Sequence, residues 1–514
     1  MKSVILKVVK LLLLFKKKCE SKRILTTFIF LLLIFFPELS NCQKQNNIWC
    51  FGDSSGIDFN DSLNPIPIST SVRTRGSCVS YADSSGQLLF YANTRAGMPG
   101  NSTRIWNSLN QLMENGDSIV GRGWYNDLII IPNPASATQF YLFVIDPTSF
   151  YGLYYSLIDM QENSGLGKVV LKNIQIHPYQ GWDGIAAVKH ANGRDWWLIT
   201  KDDRNGDPLG DNIFTIYFIS PSGIAESRQG IGNRVWGNAC HMQFSKSGSR
   251  LLFSTNAGLI EFFDFDRCTG IFSNAIVISG IRGGGSAITL SSTFSANENV
   301  IYVSQNDTTS YLFQYDLTAS NIAASKDTLQ VINSPVYYAG LLRLAPDDKI
   351  YWSGLWNNGV NYTYPYADTM YNQFNMNLSV INDPNVLGSG CNLTMNSFYL
   401  NGKRTYWGLP NNPDYSMGSV AGSICDSLTN SVLENLDFNF EIYPNPTTDK
   451  FYIKLSEEAQ GDFKMFDHLG RNVMSGNLSR NSELDLVNFK PGIYYFELHI
   501  LNKIFRRKIV KVDK

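Results

Sequence analysis

The residues best suited to chemistry form a short acidic run. Asp203, Asn205 and Asp207 alternate within Asp202-Asp203-Arg204-Asn205-Gly206-Asp207, and Asp211 follows. Alternating oxygen ligands suit a calcium loop, because a hard cation prefers carboxylate and carbonyl oxygen. Pro208 stands where such a loop needs glycine, and Phe214 where it needs the bidentate glutamate. The run therefore reads first as a polar hairpin loop, and calcium is the one cofactor it offers. Cys240-His241 has the composition of a thiol–imidazole pair. Neighbours on a strand point to opposite faces, so a packed histidine is the simpler reading. Gly283-Gly284-Gly285 before Ser286 could cradle an anion or simply join two strands. Trp106, Trp124, Trp182, Trp236 and Trp356 fall in loops or at strand ends, where they could stack on sugar rings or pack between sheets.

No catalytic residue is assigned. The sequence has no Walker loop, H-E-x-x-H, G-x-S-x-G or Rossmann fingerprint. Its five histidines are scattered. No two carboxylates are paired as a glycosidase acid and base. No C-x-x-C spacing suggests zinc.

The elements that must position these residues are strands. Of 514 residues, 13% are aromatic and only 17% charged, and long helical stretches are absent. A unit recurs about every 50 to 56 residues: turn residues, then a hydrophobic-aromatic strand. Its copies run from Ala82-Asp83-Ser84-Ser85-Gly86 before Leu88-Leu89-Phe90-Tyr91 to Asn401-Gly402 before Thr405-Tyr406-Trp407. Between them lie copies before Phe140, Trp196, Leu251, Ile301 and Ile350. That period is the scale of one four-stranded propeller blade. Seven anchors predict an all-β, seven-bladed β-propeller over residues 43–410. Asn47 to Gly52 has strand character but no blade of its own, so the N-terminus is expected to close the ring by completing the last blade.

The first 42 residues read as an export signal: a basic flank at Lys16 to Arg23, an apolar Ile24 to Phe36, then Pro37 and Ser40-Asn41-Cys42. The alternatives are a lipobox ending at Cys42 and a retained anchor. Six cysteines follow: Cys50, Cys78, Cys240, Cys268, Cys391 and Cys425. An even number in an exported chain indicates disulfides, and the sequence does not choose among the pairings. Pairing sequence neighbours would join Cys50 to Cys78, Cys240 to Cys268 and Cys391 to Cys425. The net charge of −1 shows no basic face for nucleic acid.

Two resemblances become specific. Asn47-Ile48-Trp49-Cys50-Phe51-Gly52-Asp53-Ser54-Ser55-Gly56, with Gly76-Ser77-Cys78 and Asp83-Ser84-Ser85-Gly86-Gln87-Leu88-Leu89-Phe90-Tyr91, resembles a family of secreted Bacteroidetes propellers. It implies architecture and location but no activity. Residues 411–437, rich in Asn, Ser and Gly, read as a linker. Beyond them, residues 438–514 resemble the type A sorting domain of the type IX secretion system. The resemblance rests on Tyr443-Pro444-Asn445-Pro446, Gly470, and Pro491-Gly492 with Tyr494. It implies a small Ig-like β-sandwich, recognition by the type IX machinery, and removal by a sortase. The resulting expectation is a secreted or outer-membrane surface protein that binds an extracellular glycan or protein without catalysis. The alternative is a polysaccharide- or peptide-degrading hydrolase or lyase with its site in the propeller channel. A third reading, a structural surface component, would have no defined pocket.

Overall fold

Short apolar runs closed by Gly, Asn, Ser and Asp fold as antiparallel hairpins, and the hairpins assemble into sheets. The computed structural model describes residues 43–95, 101–122, 125–147, 152–203, 212–233, 239–280, 288–306, 309–333, 337–356, 370–426, 440–455, 461–467, 471–479, 481–500 and 503–512. The signal region therefore lies outside the described residues. The chain divides into two compact units, residues 1–428 and 429–514.

Seven sheets make up the first unit. Blade I holds β1 (Ile48–Phe51), β2 (Asp53–Asp58) and β3 (Ile66–Arg73). Blade II holds β4 (Cys78–Ala82), β5 (Leu88–Asn93) and β6 (Arg104–Asn107). Five four-stranded meanders follow. Blade III runs from β7 (Leu128–Pro132) through β8 (Gln139–Asp146) and β9 (Gly152–Asp159) to β10 (Lys168–His177). Blade IV comprises β11 (Gln180–Lys189), β12 (Trp196–Asp203), β13 (Ile213–Ser220) and β14 (Gly223–Gly230). Blade V comprises β15 (Cys240–Phe244), β16 (Arg250–Thr255), β17 (Ile260–Asp266) and β18 (Ile271–Ser279). Blade VI comprises β19 (Ile288–Phe294), β20 (Val300–Asn306), β21 (Ser310–Asp316) and β22 (Asp327–Ile332). Blade VII comprises β23 (Tyr337–Leu344), β24 (Ile350–Trp356), β25 (Asn377–Ile381) and β26 (Leu393–Tyr399).

The recurring turn has a physical identity. The same i-to-i+3 backbone bond closes six hairpins: Gly86 to Asp83, Ser136 to Asn133, Gly193 to His190, Gly248 to Ser245, Glu298 to Ser295 and Asp348 to Ala345. Strands behind these turns are buried between blades, as the fully covered β20 shows, whereas outer β18 is mostly exposed. Apolar clusters join every neighbouring pair of blades around the ring. Blades VII and I meet through the rings of Trp49, Phe59 and Tyr351, with centroids 5.0 to 5.9 Å apart.

Both ends of the unit close the ring within blade I. Ala82 N donates to Gln45 O, Ser80 Oγ to Ile48 O, and Thr74 N to Gly52 O. The partner number falls as the β1 number rises, so β1 runs antiparallel to neighbouring β4. It is thus the second strand of its blade, and the innermost place is left to a later segment. Residues 404–409 take that place. Arg404 bridges Asp53, Leu341 N donates to Trp407 O (2.7 Å), and Trp407 N donates to Arg75 O (3.1 Å). The expected closure by the two ends is therefore present, with one change. Thr405-Tyr406-Trp407 supplies an inner segment, and the N-terminal part supplies three strands rather than a single completing one.

The second unit is a sandwich of two sheets. One is β27 (Phe440–Tyr443), β28 (Lys450–Leu455) and β31 (Asn481–Asp485). The other is β30 (Asn472–Leu478), β29 (Gly461–Phe466), β32 (Gly492–Ile500) and β33 (Lys503–Lys511). Strict alternation of exposure along β28 sends Phe451, Ile453 and Leu455 into one core with Phe463, Met465 and Phe496.

Candidate functional site

The innermost strand of each blade turns one edge toward the propeller axis. Unpaired N–H and C=O groups on such an edge demand partners. Here the chain's own residues 411–420, read from composition as the start of a linker, supply them. Asn411 N donates to Cys78 O (2.8 Å). Asn411 Nδ2 donates to Leu128 O (3.0 Å) and Ile185 O (2.9 Å), spanning two blades. Ser80 N donates to Asn412 Oδ1 (2.9 Å), and the Tyr415 hydroxyl donates to Ile130 O (3.0 Å). Arg343 donates to Asn412 O, Lys189 Nζ to Tyr415 O (2.8 Å), and Arg267 Nη2 to Gly418 O (2.6 Å). Composition suggested a linker because Asn, Ser and Gly favour turns. The same amide side chains are suited to capping stray backbone groups.

This occupation alters the local electrostatics. Burial pulls the Lys189 ammonium down to about 8, although the Asp414 carboxylate opposes the shift. Burial likewise lowers Arg267 and Arg343 to about 10, and Asp414 opposes both shifts. At one end Trp407 is covered by the Arg75 guanidinium, 4.4 Å from its ring centroid, and stacks on Tyr125. At the other, Val420 N donates to Ala191 O, and Cys425 is bonded to Cys268 in the β17–β18 turn. Among the described residues a depression of about 340 Å³ stays open at the hairpin end of the axis, edged by Asn47, Gln243, Lys246, Arg343, Asp414 and Met417.

Near the start of the inner strands of blades III to V, ionisable side chains serve as framework. The Asp183 carboxylate accepts from Tyr125 N (3.1 Å) and Asn126 N (3.0 Å). Asp202 accepts from Thr215 Oγ1 (2.5 Å) and lies 3.9 Å from His177 Nε2. Lys201 Nζ reaches Ile213 O (3.3 Å) beside the Phe214 ring, and burial lowers it to about 8. Burial raises the Glu261 carboxyl, which accepts from Asn233 N (2.9 Å).

The residues singled out in the sequence fall in different places. Asp203 ends β12, while Asn205 and Asp207 lie outside the described residues, as do Gly283 to Gly285, Trp124 and Trp236. Among the described residues no group of three or more His, Cys, Asp or Glu side chains gathers to hold a metal. Cys240 and His241 do not form a dyad: Cys240 faces Thr255 and His241 faces Ser254 across the ladder. Cys240 packs on Gly184, while Ser292 N lies 3.4 Å from His241 Nδ1. Burial first, then the Arg343 charge, lowers His241 to about 3, so the ring is neutral. Trp182 is buried in the blade IV–V core. Trp106 and Trp356 are half-buried.

The six cysteines give one bond, Cys268–Cys425, across 157 residues. Pairing of sequence neighbours is therefore not what forms. Cys50, Cys78, Cys240 and Cys391 are buried free thiols. Each belongs to the core of its own strand or turn, and burial pushes all four thiols up. The 268–425 pairing carried no sequence signal, because only the route of the tail brings the two residues together.

In the second unit Asn445 links the two sheets. Its Nδ2 donates to Lys508 O (2.7 Å), and Val510 N donates to its Oδ1 (2.9 Å). Both flanking bonds, Tyr443-Pro444 and Asn445-Pro446, are cis. The Tyr494 hydroxyl donates to Lys490 O (2.7 Å), tying down the turn that carries Pro491 and Gly492. Gly470 lies outside the described residues.

Fold and tail together define an exported β-propeller protein. Residues 441–512 match the secretion system C-terminal sorting domain family. That domain marks a protein carried by the type IX system to the cell surface or extracellular space. No curated protein matches the chain. Among solved structures it is similar to a protein from Lactobacillus plantarum, with TM-score 0.41 and 12% identity over 70% of this chain and 92% of that one. The periplasmic gluconolactonase of Pseudomonas aeruginosa gives TM-score 0.41 and 12% identity over 71% and 98%. The β-propeller domain of Swd1 from Myceliophteria thermophila gives TM-score 0.37 and 12% identity over 61% and 92%. The fold assignment rests on the seven sheets themselves.

Proposed function

We propose that this is an exported binding protein without catalytic activity, whose propeller surface takes an extracellular glycan or protein. One observation carries the reading: residues 411–418 run along the axis and take up inward-facing backbone groups of blades II to IV. A hydrolase or lyase working in the channel would need that space, together with several acidic or imidazole groups converging on it. Among the described residues, the side chains that meet the tail there are amides and the cations Lys189, Arg267 and Arg343, while Asp183, Asp202 and Glu261 are held in framework bonds. Residues 441–512 would deliver the propeller to the type IX machinery as its partner, and residues after about 426 would be removed with them.

Two measurements test this. Purified exported protein is screened against polysaccharides and peptides for saturable binding and for release of new chain ends. Binding without turnover is expected. Turnover that tracks the protein through purification would overturn the reading. Mass spectrometry of supernatant and outer-membrane fractions is expected to find mature protein lacking residues 441–512. Surface protein that retains them would make the second unit a functional module.

A further inference from the structure

We infer that the cleft between blades I and II is a binding site for an acidic polysaccharide, held through its carboxylate or sulfate groups. The proposal rests on the binding reading above and names its ligand class. The cleft is about 350 Å³, near the lower end of ligand-site sizes, about 300 to 1,000 Å³. Three arginines line it, Arg73, Arg95 and Arg104, with Trp106, Asn93 and Thr70, and among the described residues none of the lining is a carboxylate. Asp53, which is not among the lining residues, lies 3.9 Å from Arg73 Nε and also pairs with Arg404. Three guanidinium groups with no carboxylate among the described lining residues make the cleft positive. The buried Nε of Arg95 meets no hydrogen-bond partner among the described residues. A buried donor left in that state costs free energy, which an oxyanion in the cleft would recover. Arginine presents its donors as a planar fork that matches carboxylate and sulfate oxygens.

The walls of the cleft are fixed before any ligand arrives. Trp106 Nε1 donates to Asn93 Oδ1 (2.9 Å), and Asn93 Nδ2 donates to Arg73 O (2.9 Å). Thr70 Oγ1 donates to Ser55 O (3.0 Å). These bonds tie β2, β3, β5 and β6 into one rigid rim. An indole beside hydroxyl and amide groups suits a sugar ring, which is apolar on its faces and polar at its edge. Nucleic acid would favour a run of stacking aromatics along a basic stripe, and the described lining offers one indole.

The test uses the full exported chain, with polygalacturonate, a sulfated galactan and a neutral glucan as probes in affinity electrophoresis and calorimetry. The expected result is saturable binding to one or both acidic polymers, weakening as salt rises, with no retention by the glucan. Which acidic polymer binds identifies the anionic group. Arg95→Gln and Arg104→Gln should each lower affinity at least tenfold. Arg104 is solvent-exposed, so its variant is expected to fold normally, and an unchanged melting temperature checks this. Arg250→Gln on blade V should leave affinity unchanged. Full affinity in the folded double variant would overturn the site, and tighter retention of single-stranded DNA would overturn the ligand class. Failure to bind either acidic polymer while a peptide or neutral glycan binds would sink this proposal and leave the binding reading intact. Binding of nothing in the wider panel would remove both.

Discussion

Arg404 and Asp53 stand 351 positions apart, yet they share a backbone bridge and an ion pair. Asp53 N donates to Arg404 O at 2.8 Å, and Arg404 Nε donates to Asp53 Oδ2 at 3.0 Å. The Arg404 side chain is 5% exposed and that of Asp53 15%, so the pair is a largely buried clasp between the first and last parts of the propeller. Breaking a buried pair by removing one partner leaves an uncompensated charge, at a cost of about 3 kcal/mol. Asp53→Asn should therefore lower the melting temperature and open blade I first, seen as faster amide exchange in β1 and β2. Uniform exchange across all blades would show that the clasp is not where the ring opens.

Gly408 passes so close to the connection between β3 and β4 that an added Cβ would lie 2.0 Å from Gly76 O. Gly408→Val should cost about 1–3 kcal/mol or more, as overpacking does. Gly418→Ala is the matched control, because nothing lies within 4 Å of its Cβ position. Thermal melts of both variants decide the point. Equal stability would mean that the tail can shift outward without loss.

The Cys268–Cys425 bond closes a 157-residue loop and pins the tail after it leaves the axis. Removing it through Cys425→Ser should destabilise the unit by about 2–5 kcal/mol. Protease cleavage near residues 419–426 should rise in parallel. Reductant should lower the melting temperature of the wild type and leave that of the variant unchanged. If reductant has no effect on the wild type, the tail's hydrogen bonds hold it unaided.

His241 links stability to acid. Its folded value near 3 lies below the 6.5 of an unperturbed imidazole. Between these values the unfolded chain binds a proton that the folded one refuses. Its contribution is complete above pH 6.5 and is lost as pH falls toward 3. His241→Gln should flatten that part of the melting-temperature profile. An unchanged acid limb would assign it to carboxylates elsewhere.

The amino-acid sequence alone determined the strand repeat, the blade count and the sorting domain. These follow from local chemistry: turn residues at a fixed period, β-branched and aromatic runs, and a motif set confined to one small unit. Closure by both ends was legible too, because Asn47 to Gly52 had strand character and no partner nearby. Only the tertiary structure decided that residues 411–418 run along the axis, because an Asn-rich segment looks the same in a solvated linker as in a channel of bare carbonyls. It alone joined Cys268 to Cys425, and it alone gathered Arg73, Arg95 and Arg104 from two blades into one cleft. Contacts between residues far apart along the chain are set by how blades pack, and no local pattern encodes them.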